Sequence, residues 1–314
     1  MIVVFGSVNI DLVLRVEALP RPGETVLTPA YAAVPGGKGA NQAVAAARAG
    51  AGVRMIGCVG RDGFAEPALA GLRAAGVDLA GVERVAAATA CAMVCVDPEG
   101  RNQIAVASGA NRETRADQLD AAMLDASATL VLQLEIDPEA NWEAVRRAHG
   151  AGARIILNGA PAAPVPAEIL RRIDDLVMNE IEAPMLARAI LPGGGGTGDD
   201  PGDDPIAAAR ALAQAFDLAA IVTLGDAGAV AFEHGAWLAI GALDARVVDT
   251  TGAGDAFTGA LAAALDEGRE LADALRRASV AGGLACETVG AQPSLADAAA
   301  IEATLSRLAP AIRL

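Results

Sequence analysis

The chain has 314 residues, 53% hydrophobic and 20% charged, with a formal net charge of −15 at pH 7. That size and apolar fraction suit one large domain, or a domain with a smaller appendage, and exclude a disordered or low-complexity chain. The negative charge and the absence of any Lys/Arg-rich run argue against nucleic acid or an anionic membrane as partner, so any phosphate must be gripped locally.

Cys58, Cys91, Cys95 and Cys286 form no Cys-x-x-Cys pair, and with His149 and His234 they give no zinc-ligand spacing. A reducing compartment fits. Met1 to Asp11 lacks a basic start or cleavage-type sequence, and no apolar run is long enough to span a bilayer, so the expected location is the cytoplasm. Lys38 is the only lysine among 24 basic residues, which singles out its position.

The first third reads as extended segments at 11–16, 25–34, 91–96 and 103–107. The turn signals Pro20-Arg21-Pro22-Gly23 and Asp97-Pro98-Glu99-Gly100 interrupt them. These predict a small β-sheet inserted into an α/β domain, a lid whose outer edge could pair with a second copy. Asn9 and Asp11 sit two apart on an extended stretch and so point to one side, which suits polyol recognition. Gly36-Gly37-Lys38-Gly39-Ala40-Asn41 then opens a helical stretch over 42–49, placing Gly-rich backbone, a lone Lys and an Asn at a helix start.

Thr114 with Asp117 resembles a capping box, and Asp137-Pro138-Glu139 supplies an N-cap, a first-turn Pro and a negative charge for the next helix. Beyond them, apolar runs at 130–134, 154–157, 176–178, 220–222 and 246–248 alternate with helical-period segments, the pattern of βαβ units and a parallel sheet. The runs end at Glu135, Asn158, Asn179, Thr223 and Asp249. Ligands sit beyond the carboxyl ends of parallel strands, so these five residues are expected to face one crevice. The stretch 192–205 reads as a surface loop rich in Gly and Asp. Its G-x-G-x-x-G spelling, Gly193 to Gly198, follows no strand and carries acids that would repel pyrophosphate, so a dinucleotide site is not expected there.

The sharpest signal is Asp249-Thr-Thr-Gly-Ala-Gly-Asp255 before an Ala-rich helix over 256–265. Two glycines let the backbone approach a ligand, and unpaired amides with the positive dipole end make an anion hole. A carboxylate beside such a hole opposes a bound anion and is better placed to take a proton from an attacking hydroxyl. The plainer alternative is a helix start with an early Asp on the dipole. Neither a P-loop nor the protein-kinase motif set occurs.

Together these residues resemble the pfkB carbohydrate kinases, the ribokinase-like sugar kinases, over almost the whole chain. Within that family, 36–43, the Asn9/Asp11 pair, 109–111, 133–135, 158–162 and 290–294 are most similar to the ribose-phosphorylating branch. The resemblance implies an α/β fold of three layers, with a mostly parallel central sheet flanked by helices, and a β-sheet lid drawn from about 11–34 and 91–107 of a single domain spanning 1–314. It implies ATP-dependent phosphorylation of the 5-hydroxyl of D-ribose with Mg²⁺ and activation by K⁺, in a homodimer joined through the lid. A deoxyribose, fructose or nucleoside kinase of the same scaffold is the alternative, and a silent sugar-binding regulator the more distant one.

Residue by residue, Asn9, Asp11, Gly37, Lys38, Gly39, Asn41, Glu135 and Asp255 match sugar-binding positions. Asp255 matches the catalytic base, and Gly252, Ala253 and Gly254 the anion hole for the γ-phosphate. Asn179 and Glu182 match an N-x-x-E motif that organises Mg²⁺ and phosphates through water. Thr223, Leu224, Gly225, Asp226, Ala227 and Gly228 match the nucleotide loop, joined by Gly254 and Ser279 at the nucleotide. Asp249, Thr251, Ala285, Thr288, Gly290 and Ser294 match a monovalent-cation site. Three residues depart from the pattern: Thr288-Val289 stands where an Arg-Lys pair is expected, and Ser279 where a His or Asn often lines the adenine pocket.

Overall fold

Short β-branched runs alternate with Ala/Leu-rich helices along the computed structural model, which describes residues 1–191 and 202–313. The first half runs β1 (Ile2–Phe5), β2 (Asn9–Arg15), β3 (Tyr31–Gly36), α1 (Lys38–Arg48), β4 (Val53–Val59), α2 (Ala65–Ala74) and β5 (Asp78–Arg84). There follow β6 (Ala90–Val96), β7 (Asn102–Ala107), β8 (Thr129–Leu132), α3 (Pro138–Ala151), β9 (Arg154–Asn158), α4 (Ala167–Leu170) and β10 (Asp175–Asn179). The second half holds α5 (Glu182–Ile190), α6 (Pro205–Phe216), β11 (Ala219–Thr223), β12 (Ala229–Glu233) and β13 (Ala236–Ile240). The chain closes with α7 (Ala253–Asp266), α8 (Leu271–Ala285), α9 (Ala291–Ser294), α10 (Ala298–Thr304) and β14 (Ile312–Arg313).

Among the described residues ten strands form the central sheet, in the order β14-β13-β12-β11-β10-β9-β8-β1-β4-β5. From β11 to β5 neighbours are parallel, and β12, β13 and β14 add an antiparallel edge. β1 shows why the sheet needs a layer on each face. All four of its residues are buried. Ile2 and Val4 pack with α1, α2, α7 and α8, whereas Val3 and Phe5 pack with α3, α4, α5 and α6. A strand apolar on both sides is stable only when both faces are covered, so the parallel sheet becomes the middle of three layers.

A second sheet, ordered β3-β2-β6-β7, stands apart from the first. β2 pairs antiparallel with β3 and parallel with β6, and the register sets Asp11 opposite Val34 and Ala92.

Three sequence-based expectations need correction. Residues 246–248 form no strand: the sheet edge beside β13 is occupied by β14, so Val247 and Val248 stay exposed and the segment crosses to α7. The segment at 25–34 is extended pairing only from Tyr31 onward. Thr114 and Asp117 make no capping box. The box there joins Arg115 to Gln118 and starts a 3₁₀ turn, because Thr114 itself closes the preceding one. Asp137 caps α3 as its sequence predicts, accepting from the amides of Glu139 and Ala140. The G-x-G-x-x-G at Gly193 to Gly198 lies outside the described residues. Among the described residues no helix is long and apolar enough to cross a membrane.

Candidate active site

The turn after β1 and the start of α1 are pressed together by small residues. Gly37 has φ +90°, and a Cβ there would lie 2.8 Å from the Asn9 amide nitrogen. A Cβ on Gly39 would lie 2.5 Å from the Ser7 nitrogen, where the Ala40 amide donates to the Ser7 carbonyl at 2.8 Å. Gly36 leaves room for the Asp11 carboxylate, whose Oδ2 would be 2.1 Å from a Cβ at that position. The glycine run therefore does more than break the strand: it lets β2, β3 and α1 meet over one small volume.

Into that volume come the expected sugar-side residues. Asn111 holds Asn9 by donating to its Oδ1 at 2.7 Å, which leaves the Asn9 amide NH₂ for another acceptor. Glu135, beyond the end of β8, accepts from the Ser7 hydroxyl at 2.6 Å and from the Lys38 amide at 3.0 Å through one carboxylate oxygen. Asp255, in the first turn of α7, accepts from Asn41 Nδ2 at 2.8 Å and from Gln42 Nε2 at 2.9 Å. The structure thus brings Asn9, Asp11, Gly37, Lys38, Gly39, Asn41, Glu135 and Asp255 together.

The electrostatics are those of an acidic pocket around one cation. Burial, then Glu135 and Asp255, lift the Asp11 carboxyl to about 6. Its Oδ1 is buried without a hydrogen-bond partner among the described residues, as expected of a group awaiting a polar ligand. Burial pushes the Lys38 ammonium down, but Asp255, Glu135 and Glu182 outweigh it and hold the ammonium above its ordinary value. Asp255 is raised by burial, against the opposing pull of Lys38, Asn41 and Gln42.

Next to Asp255 the backbone turns through Gly252, which has φ +81° and N-caps α7 with no side-chain cap. The first-turn amides of a helix have no intrahelical acceptor, so they remain available to an anion. A Cβ on Gly254 would meet nothing within 4 Å, so this backbone faces open space. Ala253 lies between them, its amide bound to the Thr250 carbonyl at 3.2 Å.

Asn179 and Glu182 prove to be a reciprocal cap on α5. Asn179 Oδ1 accepts from the Glu182 amide at 2.8 Å, and Glu182 Oε2 accepts from the Asn179 amide at 2.9 Å. Burial raises the Glu182 carboxyl. The 223–228 loop is a tight turn after β11, with Gly225 at φ +56° and Gly228 at φ +95°. Leu224 donates to the Gly228 carbonyl at 2.8 Å, and Asp226 and Ala227 form the 3₁₀ turn between them. Thr223 pairs with Asn179 in the sheet, so this loop and the α5 cap stand side by side. Ser279, on α8, is buried with its hydroxyl unpartnered among the described residues.

Asp249 ties two loops together. Its Oδ1 accepts from the Thr251 amide and hydroxyl at 2.9 and 2.6 Å, and its Oδ2 from the Gly290 amide at 2.8 Å. Those bonds hold its carboxyl below the ordinary range although burial pushes the other way. The Ser294 hydroxyl donates to the Ala291 carbonyl at 2.7 Å, Ala285 is buried and Thr288 is exposed.

Among the described residues no three His, Cys, Asp or Glu side chains converge as a metal cluster. The donor set still fits Mg²⁺ in its usual mode, in which a hard, reluctantly dehydrated ion keeps water and binds substrate phosphates with little direct help from protein. Glu182 retains one carboxylate oxygen for that shell. The 249–251 and 285–294 loops offer backbone carbonyls and a carboxylate, oxygen donors suited to a large monovalent cation.

Sequence reasoning gave no role to several residues that build this site. Ser7 bridges Glu135 and the Gly39 amide, and Gln42, Gln133 and Gln292 support Asp255 and Asn41 from below. The available signal was polarity in the wrong place: a Gln followed by an unbroken Ala/Val stretch in α1, a helix face that should be wholly apolar.

The chain matches the model of the pfkB family carbohydrate kinases over residues 1–298. It is 37% identical over 307 residues to the ribokinase of Bacillus subtilis, covering 97% of this chain and 99% of that protein. Its fold is similar to the ribokinase structure from Thermotoga maritima, with a TM-score of 0.88, 33% identity, and coverage of 98% and 99% of the two chains. It is also similar to Arabidopsis thaliana ribokinase complexed with ribose and ATP, with a TM-score of 0.84, 30% identity and coverage of 97% and 98%. The chain belongs to the pfkB family of carbohydrate kinases, and is a sugar kinase.

Proposed function

We propose that the protein transfers the γ-phosphoryl group of ATP to the 5-hydroxyl of D-ribose, giving D-ribose 5-phosphate and ADP. The observation that carries this reading is Asp255: a buried carboxylate held by Asn41 and Gln42, one turn from the uncapped backbone of Gly252 and Gly254. Asn9, Asp11, Gly37, Lys38, Gly39, Asn41 and Glu135 hold the sugar with its 5-hydroxyl toward Asp255. Asp255 takes the hydroxyl proton, the freed oxygen bonds to the γ-phosphorus, and the bond to the bridging oxygen breaks toward ADP. The amides of Gly252 and Gly254 meet the charge developing on the phosphoryl oxygens, and Ala253, whose amide is bound to the Thr250 carbonyl, shapes the turn between them. A base whose proton affinity is raised by burial is the stronger for it, while Lys38 and the two amides pull in the other direction.

The nucleotide would lie along Asn179, Glu182, 223–228 and Ser279, and Mg²⁺, held through water by Asn179 and Glu182, would neutralise phosphate charge when bound. K⁺ at Asp249, Thr251, Ala285, Thr288, Gly290 and Ser294 would steady the loop that enters α7. The lid sheet closes over the sugar and excludes water, which would otherwise receive the phosphoryl group, and it joins two copies of the chain.

A coupled ATP assay with ribose, deoxyribose, fructose and nucleosides, with and without K⁺, tests the reading. Ribose should give the highest kcat/KM, and Asp255→Asn should lower kcat by at least about 10² while ribose still binds, the loss expected for a base. Another sugar outranking ribose would move the substrate assignment, and normal turnover by Asp255→Asn would remove the base.

A further inference from the structure

Asp255 is held by two amides that differ in one respect. Asn41 belongs to the sugar-facing residues. Gln42, one residue on, is wholly buried and turned into the core between α1 and the sheet. Each of its polar atoms has one assignment. An ionised carboxylate only accepts, so the NH₂ must face Asp255, and Nε2 donates to Asp255 Oδ1 at 2.9 Å. Its second N–H goes to Asn158 Oδ1 at 3.0 Å, and Asn158 is fixed in turn by donating to the Val177 carbonyl at 3.1 Å. The Gln42 carbonyl points away and needs a donor, which is Gln133 Nε2 at 2.8 Å.

The relay ends at a sacrifice. Gln133, also wholly buried, has its Oε1 unpartnered among the described residues, lying where a Cβ on Gly6 would be 2.0 Å from it. Reversing the Gln133 amide would set two carbonyl oxygens against each other, so its polarity follows from the carboxylate at the far end of the chain. The Asn41 side repeats the arrangement: Gln292 Nε2 donates to Asn41 Oδ1 at 3.2 Å, and its own Oε1 is left unpartnered against Gly71. Buried carbonyls are rarely left unmet, and both here belong to side chains whose NH₂ is committed toward the base.

We propose that Gln42 is a positioning residue for the phosphoryl-transfer step, orienting the Asp255 carboxylate through an amide whose direction is locked by Gln133 and Asn158. This rests on the reading of Asp255 as the base. Gln42 is wholly buried, with its amide given over to Asp255, Asn158 and Gln133, so it acts on the geometry and ionisation of Asp255 and not on sugar affinity. The other charged groups around Asp255 are Lys38 on α1, Glu135 beyond β8, Asp11 on β2 and Glu182 on α5, and all are unaltered when Gln42 is replaced.

The experiment is the pH profile of kcat and kcat/KM for ribose in Gln42→Met, which keeps length and removes the donor, and in Gln133→Met, which keeps Gln42 and removes its lock. Losing a donor to the charged form makes that form harder to reach. In Gln42→Met the acid limb of the profile should move to higher pH by about half a unit or more, and kcat should fall about tenfold with ribose KM within about threefold. Gln133→Met should move the limb in the same direction by less. The limb position does not depend on how much protein folds, which separates this role from a purely structural one. An acid limb unmoved in Gln42→Met overturns the proposal. If that variant does not fold, an unmoved limb in Gln133→Met does so. Failure of the wild type to phosphorylate any sugar, or full activity of Asp255→Asn, would instead overturn the reading of the base.

Discussion

Asp11 shows how the site is built at the residue scale, because its position on β2 works against the folded state. Its carboxyl is lifted from an ordinary value of 3.8 to about 6 by burial, reinforced by Glu135 and Asp255. The folded protein therefore binds this proton more tightly than the unfolded chain. That contribution to stability is complete below about pH 4 and is lost as the pH rises through about 6. Replacing Asp11 by Asn removes the charge without changing the shape. Asp11→Asn should melt a few degrees higher than wild type at pH 8 in the absence of ligand, with the gap closing as the pH falls toward 4, and should bind the sugar more weakly. Thermal melts at several pH values check it, and equal melting temperatures at pH 8 would show that Asp11 is not strained.

Among elements, the contrast lies in how the helices begin. α3, α6 and α10 are capped by Asp137, Asp204 and Asp297, each accepting from first-turn amides. α1, α7 and α9 begin on Gly37, Gly252 and Gly290, with no side-chain cap. The first group closes its amides with its own cap residue; in the second, α1 hands its first amides to Glu135 and Ser7, whereas α7 leaves the Gly254 amide unpaired among the described residues. Two substitutions separate the roles. Asp137→Ala should cost about 1 kcal/mol of stability with kcat unchanged. Gly252→Ala forces a Cβ to within 2.9 Å of Ala291 Cα at a φ of +81°, so it should displace the α7 entry and lower kcat by about tenfold or more. Denaturant titration beside steady-state kinetics distinguishes the two losses.

For the whole molecule, the proposed closure and the proposed assembly both rest on the four-stranded sheet. It places Asp11 over the site, and the register puts Val106 in the same row through Ala92, with Ile104 two rows on, on the same face, through Val94. Ile104 is 56% and Val106 52% exposed on the face that carries Asp11, and Tyr31 and Met93 are exposed on the opposite face. An apolar surface of this kind on a small sheet suits a partner surface of the same chemistry, which a second copy provides. Ile104→Lys should shift sedimentation at micromolar concentration from dimer toward monomer. A wild-type chain that sediments as a monomer under the same conditions would sever assembly from the lid.

The sequence by itself determined the elements whose chemistry is local. The apolar runs of β8, β9, β10 and β11 became central strands as expected, Asp137-Pro138 started α3, and Gly252, Gly254 and Asp255 marked the start of α7, where the anion hole beside a base is proposed. What it could not decide was anything set by a competitor elsewhere in the chain. Val247 and Val248 read as a strand, yet β14, from the far end of the molecule, holds the sheet edge beside β13. Asn179 and Glu182 spelled a ligand motif, and folding also made them the cap of α5. Gln42 looked like one polar residue in an apolar helix, until Gln133 and Asn158, some 90 and 116 positions away, showed which way its amide must point. Hydrogen-bond direction depends on partners brought together by the fold, and the tertiary structure alone supplies them.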